Sequence, residues 1–134
     1  MRVFLDTNVL VAAFATRGLC ADVFRTVLAE HELVVGETIL NELARVLMRR
    51  LGMPDARVHE VVAFVRQQAA MATETALPSL EVRDPSDAAV LAGAISGAAD
   101  VLVTGDHDLL VLKRVKDLPI VDPRGFWEMV KRER

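Results

Sequence analysis

The chain has 134 residues, 52% of them apolar but only 4% aromatic, and a formal net charge of −3. Such a composition gives one domain over residues 1–134 with a core of Val, Leu, Ile and Ala, and excludes disordered, repetitive and low-complexity classes. The apolar start is broken by Asp6, Thr7 and Asn8, which excludes a signal peptide or membrane span, and the lone Cys20 has no partner for a disulfide or zinc site, so the expectation is a cytoplasmic protein.

Residues 2–5 read as a short apolar strand of the kind buried on both faces of a parallel sheet. Helical patterns follow over residues 9–15 and 21–30, and then a second strand, "ELVV", over 32–35. A long helix over 38–51 is stopped by Gly52 and Pro54. Another helix over 54–72 is amphipathic through Val58, Val61, Val62 and Val65. In "DPSDAAVLAGAISG" a further helix begins, with Asp84 as cap, Pro85 at the first helical position and Gly97 past the end. "DVLVT" from Asp100 and "LPIV" over 118–121 are strands, and "PRGFWEMVKR" is a closing helix. The alternation predicts an α/β fold: a single three-layer domain whose mostly parallel sheet of about four strands carries helices on both faces.

Two of these strands run straight into carboxylates. Asp6 follows the first strand in "VFLDTNVL", and Asp106 follows "VLVT" one glycine later. In open α/β sheets ligands bind outside the carboxyl ends of the strands, so parallel neighbours would bring both acids to one edge. The alternative is that each caps the helix after it. Asp87 shares its helix face with Val90, Leu91 and Ala94, on the core side, where an unpaired charge is costly; folding back on Asp84 as a capping box is the alternative there. Glu42 borders the apolar face of Ile39, Leu43, Val46 and Leu47, and taken alone it reads equally well as a solvated partner of Arg45 and Arg49.

Four carboxylates in one crevice repel one another unless a cation neutralises them. All-oxygen ligation suits Mg²⁺ or Mn²⁺, whereas Zn²⁺ calls for His or Cys. Of His31, His59 and His107, only His107 lies near a candidate ligand, as a bystander or substrate contact.

"FLDTNVLVAAF", "ILNELARVL" and "DPSDAAVLAGA…GADVLVTGDHDLLVL", in this order, resemble PIN-domain ribonucleases, in particular the VapC-type toxins of type II toxin–antitoxin systems. The resemblance covers nearly the whole chain. It implies a PIN-like fold, an RNA substrate, and one or two Mg²⁺ or Mn²⁺ ions on the matched acids Asp6, Glu42, Asp87 and Asp106. Thr7, Asn8 and Thr104 match small polar positions that support the carboxylates, and Asp84 and Asp108 are further supporting candidates. The implied chemistry is phosphodiester hydrolysis by metal-activated water, leaving 5′-phosphate and 3′-hydroxyl ends. A cognate antitoxin and a homodimer are the implied protein partners.

With the four matched acids set aside, the remaining 15 of the 19 acidic residues face 16 Lys and Arg. Arg45 and Arg49, with Arg50 beside them, are candidate RNA contacts, and so thin a surplus predicts weak non-specific affinity. A haloacid-dehalogenase-type phosphatase would need an Asp where Asn8 stands, and a response-regulator receiver would need an acidic pair after the first strand. The remaining alternative is a catalytically degenerate PIN fold that binds protein or RNA.

Overall fold

The computed structural model describes residues 1–73 and 84–133. Its sheet is built from β1 (Arg2–Leu5), β2 (Glu32–Val35), β3 (Ala69–Met71), β4 (Val101–Val103), β5 (Arg114–Val115) and β6 (Leu118–Val121). The helices are α1 (Thr7–Ala15), α2 (Leu19–Glu30), α3 (Glu37–Arg49), α4 (Asp55–Gln68), α5 (Pro85–Ser96), α6 (His107–Leu110) and α7 (Pro123–Glu133).

The strands lie in the order β3-β2-β1-β4-β6-β5 and pair in parallel, except for the antiparallel β5–β6 hairpin at one edge. Consecutive residues Val3, Phe4 and Leu5 of β1, and Val101, Leu102 and Val103 of β4, are all essentially inaccessible to solvent. Strands buried on alternate residues alike must be covered on both faces, which accounts for their unbroken apolar runs. Around them one cluster gathers Leu10, Leu40, Leu43, Leu47, Leu91 and Phe126, with almost no aromatic stacking beyond Phe14, Phe24 and Phe64.

Six strands replace the expected four or so. The apolar rhythm of α4 ends at Val65, and the chain leaves the helix after Gln68 instead of running to Ala72. Ala69, Ala70 and Met71 pair with Leu33, Val34 and Val35, and the Ala72 amide donates to the Val35 carbonyl at 2.8 Å. Three small residues carry little strand preference of their own; the open edge of β2 decides their conformation. The two-residue β5 is held by its hairpin, whose turn residue Lys116 takes a φ of 53°.

From β1 the chain moves outward to β2 and β3, then crosses back to place β4 on the other side of β1. The strand order therefore reverses between β1 and β4, the position where open α/β sheets form a crevice. Helix α1 leaves this point and packs against α2 and α3, while α5 also approaches α3. No single helix among the described residues is long and apolar enough to cross a membrane.

Candidate functional site

Asp6 and Thr104 are the residues that leave β1 and β4, where Leu5 pairs with Val103 and the Asp6 amide donates to the Val103 carbonyl at 2.9 Å. Both are buried: Asp6 is 6% exposed and Thr104 is fully enclosed. The Asp6 carboxylate is divided between two tasks. Its Oδ1 accepts from the Thr7 amide at 2.8 Å and caps α1, and its Oδ2 accepts from the Thr104 hydroxyl at 2.7 Å. That same hydroxyl accepts from the Asp106 amide at 3.0 Å, so one side chain ties the two strand ends together. Capping and membership of the crevice, set against each other as alternatives in the sequence, are functions of the same residue. Asp106 behaves alike: its Oδ1 accepts from the Asp108 amide at 2.9 Å and caps α6 while the residue lines the crevice.

Asn8 completes the join, accepting from the Gly105 amide at 2.9 Å, with its amide group 3.5 Å from Asp6 Oδ2. A Cβ at Gly105 would stand 3.3 Å from that Asn8 oxygen, a close approach that glycine makes easy. Thr7 reaches the opposite way, its hydroxyl donating to Glu42 Oε2 on α3 at 3.2 Å. Glu42 thus faces Thr7 across the crevice and is half-buried, in place of the exposed pairing with Arg45 and Arg49 that its helix phase also allowed.

Asp87, 7% exposed, lies in the first turn of α5 and lines the crevice. The cap of that helix is Asp84, which accepts from both the amide and the hydroxyl of Ser86 at 2.9 and 2.8 Å. Asp84 is exposed, and its hydrogen bond from the Ser86 amide holds its carboxyl below the usual range. Carboxylate oxygens of Asp87, Asp106 and Asp108 lie within 4.8 Å of one another. Asp108, placed among the supporting residues by the sequence, therefore belongs to the tightest group of acids.

Together these residues line a crevice of about 400 Å³. At one end stand Asp6, Glu42, Asp87 and Asp106; Val11, Ala12, Ala15, Val46 and Val90 form apolar walls, and Ser86, Thr16 and Arg50 lie along the rim. The sequence reading missed Ser86 and the apolar walls, for which helical spacing gave no signal beyond ordinary core pattern. On α3 the lining residues are Glu42, Val46 and Arg50, one i, i+4, i+8 ridge. Arg45 and Arg49 are exposed on the other flank of the helix, outside the crevice wall, and His107 is exposed at the start of α6.

The crowding is visible in the protonation of the acids. Burial pushes the Asp6 carboxyl up, helped by Glu42 and Asp106, while the hydrogen bonds from Thr104 and Thr7 hold it down. Asp87 is pushed up to about 6, first by burial and then by its shared hydrogen bond with Asp106 and the charges of Asp106, Asp84 and Asp108. The ion pairs found among the described residues, Arg2–Glu32, Arg25–Asp22 and Arg66–Glu37, all lie elsewhere. Five carboxylates converging without a basic partner form an all-oxygen donor set suited to a hard divalent cation.

A pH test follows. Asp87 binds its proton more tightly folded than unfolded, so between pH 4 and about 6 the folded chain holds more protons and stability falls as pH rises. The stabilising protonated form is fully present below the unfolded value of 3.8 and is lost as pH passes through about 6. With metal chelated, Asp87→Asn is expected to gain several degrees of melting temperature over wild type at pH 7.5 and far less at pH 4.5. Equal gains at both pH values would contradict the raised carboxyl.

Two solved structures share this fold. A chain in the structure of VapBC2 from Rickettsia felis bound to a DNA fragment from their promoter superposes with a TM-score of 0.65, at 15% identity over 91% of this chain and 98% of that one. Mycobacterium tuberculosis VapC20, described as a sarcin–ricin loop cleaving toxin, superposes with a TM-score of 0.60, at 17% identity over 87% and 98%. No curated protein matches in sequence. The family model of the PIN domain matches residues 2–108, a stretch that contains every acid of the crevice, and the chain belongs to the PIN domain family.

Proposed function

We propose that this protein is an Mg²⁺- or Mn²⁺-dependent endoribonuclease, and that it serves as the toxin of a toxin–antitoxin pair. The observation that carries the reading is the meeting of Asp6, Glu42, Asp87, Asp106 and Asp108 at the switch point of the sheet, two of them with carboxyls pushed up and none offset by an ion pair. PIN-family membership and the likeness of fold to VapC20 and to VapBC2 support it.

In this reading the five carboxylates hold one or two cations, Asp87, Asp106 and Asp108 forming the closest set. A bound cation supplies charge for the phosphate, a lowered pKa for attacking water and stabilisation of the leaving oxygen. The chain's part is to position and to deprotonate. Thr104 and Thr7 fix the Asp6 carboxylate by hydrogen bonds, and Thr7 also fixes Glu42. Asp87 must give up its proton for the cation to bind, so binding strengthens as pH rises through about 6. Among the crevice residues there is no Cys or His, so water is the nucleophile, and the products carry 5′-phosphate and 3′-hydroxyl ends. A cognate antitoxin covering the crevice, a homodimer and a cytoplasmic location belong to the same proposal.

Metal linkage tests it without knowledge of the RNA target. Millimolar Mn²⁺ is expected to raise the wild-type unfolding midpoint, as any ligand of the folded state does, and Asp87→Asn is expected to lose most of that rise. A wild-type midpoint that ignores millimolar Mn²⁺ would remove the metal centre, and with it the nuclease.

A further inference from the structure

The crevice extends beyond its acids into an arm whose chemistry is different. On α3, Glu42, Val46 and Arg50 follow one another along a single ridge, and on α1 the facing wall is Val11, Ala12 and Ala15. The ridge thus runs from a carboxylate through an aliphatic contact to a cation. Eight residues of helix separate Glu42 from Arg50, a rise of ~12 Å. Helical side chains lean toward the N-terminus, which brings the guanidinium back toward the acids. Arg50 is exposed and enters none of the ion pairs among the described residues, so its charge is available to a ligand.

We propose that this arm is a subsite for one unstacked nucleotide of single-stranded RNA, with Arg50 binding a phosphate next to the scissile one. The inference rests on the nuclease reading and names its substrate class. Three observations select this occupant. The volume of about 400 Å³ is near the lower end for ligand sites and takes a single nucleotide. The wall is aliphatic, with the small residues Ala12 and Ala15 leaving a gap in which a base can lie flat. The one cation on the rim is opposite in sign to a phosphate and stands about two helical turns from the acids that would receive its neighbour. A duplex offers none of these matches, because its bases are stacked and its edges lie in grooves.

The experiment compares a labelled mixed-sequence 12-nucleotide RNA, single-stranded or annealed to its complement, by fluorescence anisotropy in Mn²⁺ over a range of salt, with RNA integrity checked after each titration. Wild type is expected to bind the single strand at least tenfold more tightly than the duplex. Arg50→Ala should weaken single-strand binding about tenfold and reduce the salt slope by about one, while Arg50→Lys restores the slope. Ala15→Phe, at an exposed position that fills the arm, should weaken single-strand binding while keeping the wild-type midpoint shift with Mn²⁺. Equal affinity for duplex and single strand, or an unchanged salt slope in Arg50→Ala, overturns the subsite. If Mn²⁺ still stabilises wild type and RNA still binds, that failure is confined to the subsite; if wild type shows neither, the nuclease reading fails and the subsite with it.

Discussion

Asp6→Asn is expected to reduce metal-dependent RNA cleavage by at least about 100-fold and to leave the fold intact. The magnitude is a lower bound, since loss of a group that merely supports a metal ligand already costs about 10–100-fold. The fold survives because the substitution keeps what Asp6 does structurally. Asn retains an oxygen to accept from the Thr7 amide, and Asn is among the best helix caps. At the other side the carboxamide nitrogen meets the Thr104 hydroxyl, which has lone pairs for both it and the Asp106 amide. Removing the charge also relieves the repulsion from Glu42 and Asp106 that helps push the Asp6 carboxyl up. The metal-free variant should therefore melt at or above the wild-type temperature, with native circular dichroism, and should show little stabilisation by Mn²⁺. Cleavage near the wild-type rate would take Asp6 out of the chemistry and leave it as a helix cap.

The contrast between these two roles explains what could be read from the chain. Asp6 and Asp106 were legible because they stand at the ends of strands buried on both faces, and the parallel-sheet rule sends such ends to one edge. Asp87 was legible from helix phase, because an acid on the face of Val90, Leu91 and Ala94 must be either bridged or exposed. Glu42 was ambiguous for a physical reason: periodicity gives the face of α3 but not what lies opposite, and the partner, the Thr7 hydroxyl, comes from a helix 35 positions away. The same limit separates Arg49 from Arg50. Both border the Glu42 side of the helix, and only the packing of α1 against α3 decides that the crevice follows the ridge through Val46.

Other differences come from elements too short to carry a period. Helix α6 has four residues and β5 has two, so neither can show a 3.6- or 2-residue repeat. Asp108 gained its place through α6, whose first turn sets it beside Asp106 and Asp87. Strand β3 is Ala-Ala-Met, a sequence that continues a helix as readily as it pairs, and the exposed edge of β2 chose. In each case tertiary pairing decided where local preference was weak.

Thr104→Val should be the most costly change that touches no carboxylate. The two side chains match in shape, so no cavity forms, and what is lost is the hydroxyl alone. That hydroxyl donates to Asp6 Oδ2 and accepts from the Asp106 amide, in a position closed to water. Buried groups left without a partner cost about 1–3 kcal/mol, but Asp106 is half-exposed and its amide can turn to solvent, so ~1–2 kcal/mol is expected, a fall in midpoint of roughly 3–10 °C. A structural loss would end there. The larger consequence concerns protons, because the Thr104 bond is the strongest influence holding the Asp6 carboxyl down against burial. Without it Asp6 keeps its proton to higher pH, and a protonated carboxyl cannot serve a cation. Mn²⁺ affinity in the variant should then fall more at pH 6 than at pH 8, with the rise of affinity displaced toward alkaline pH relative to wild type, and Thr104→Ser should restore the wild-type profile. Calorimetric titration of Mn²⁺ across that range separates the two effects: a uniform loss at every pH makes Thr104 a packing residue, whereas a displaced profile makes it the residue that keeps Asp6 ionised.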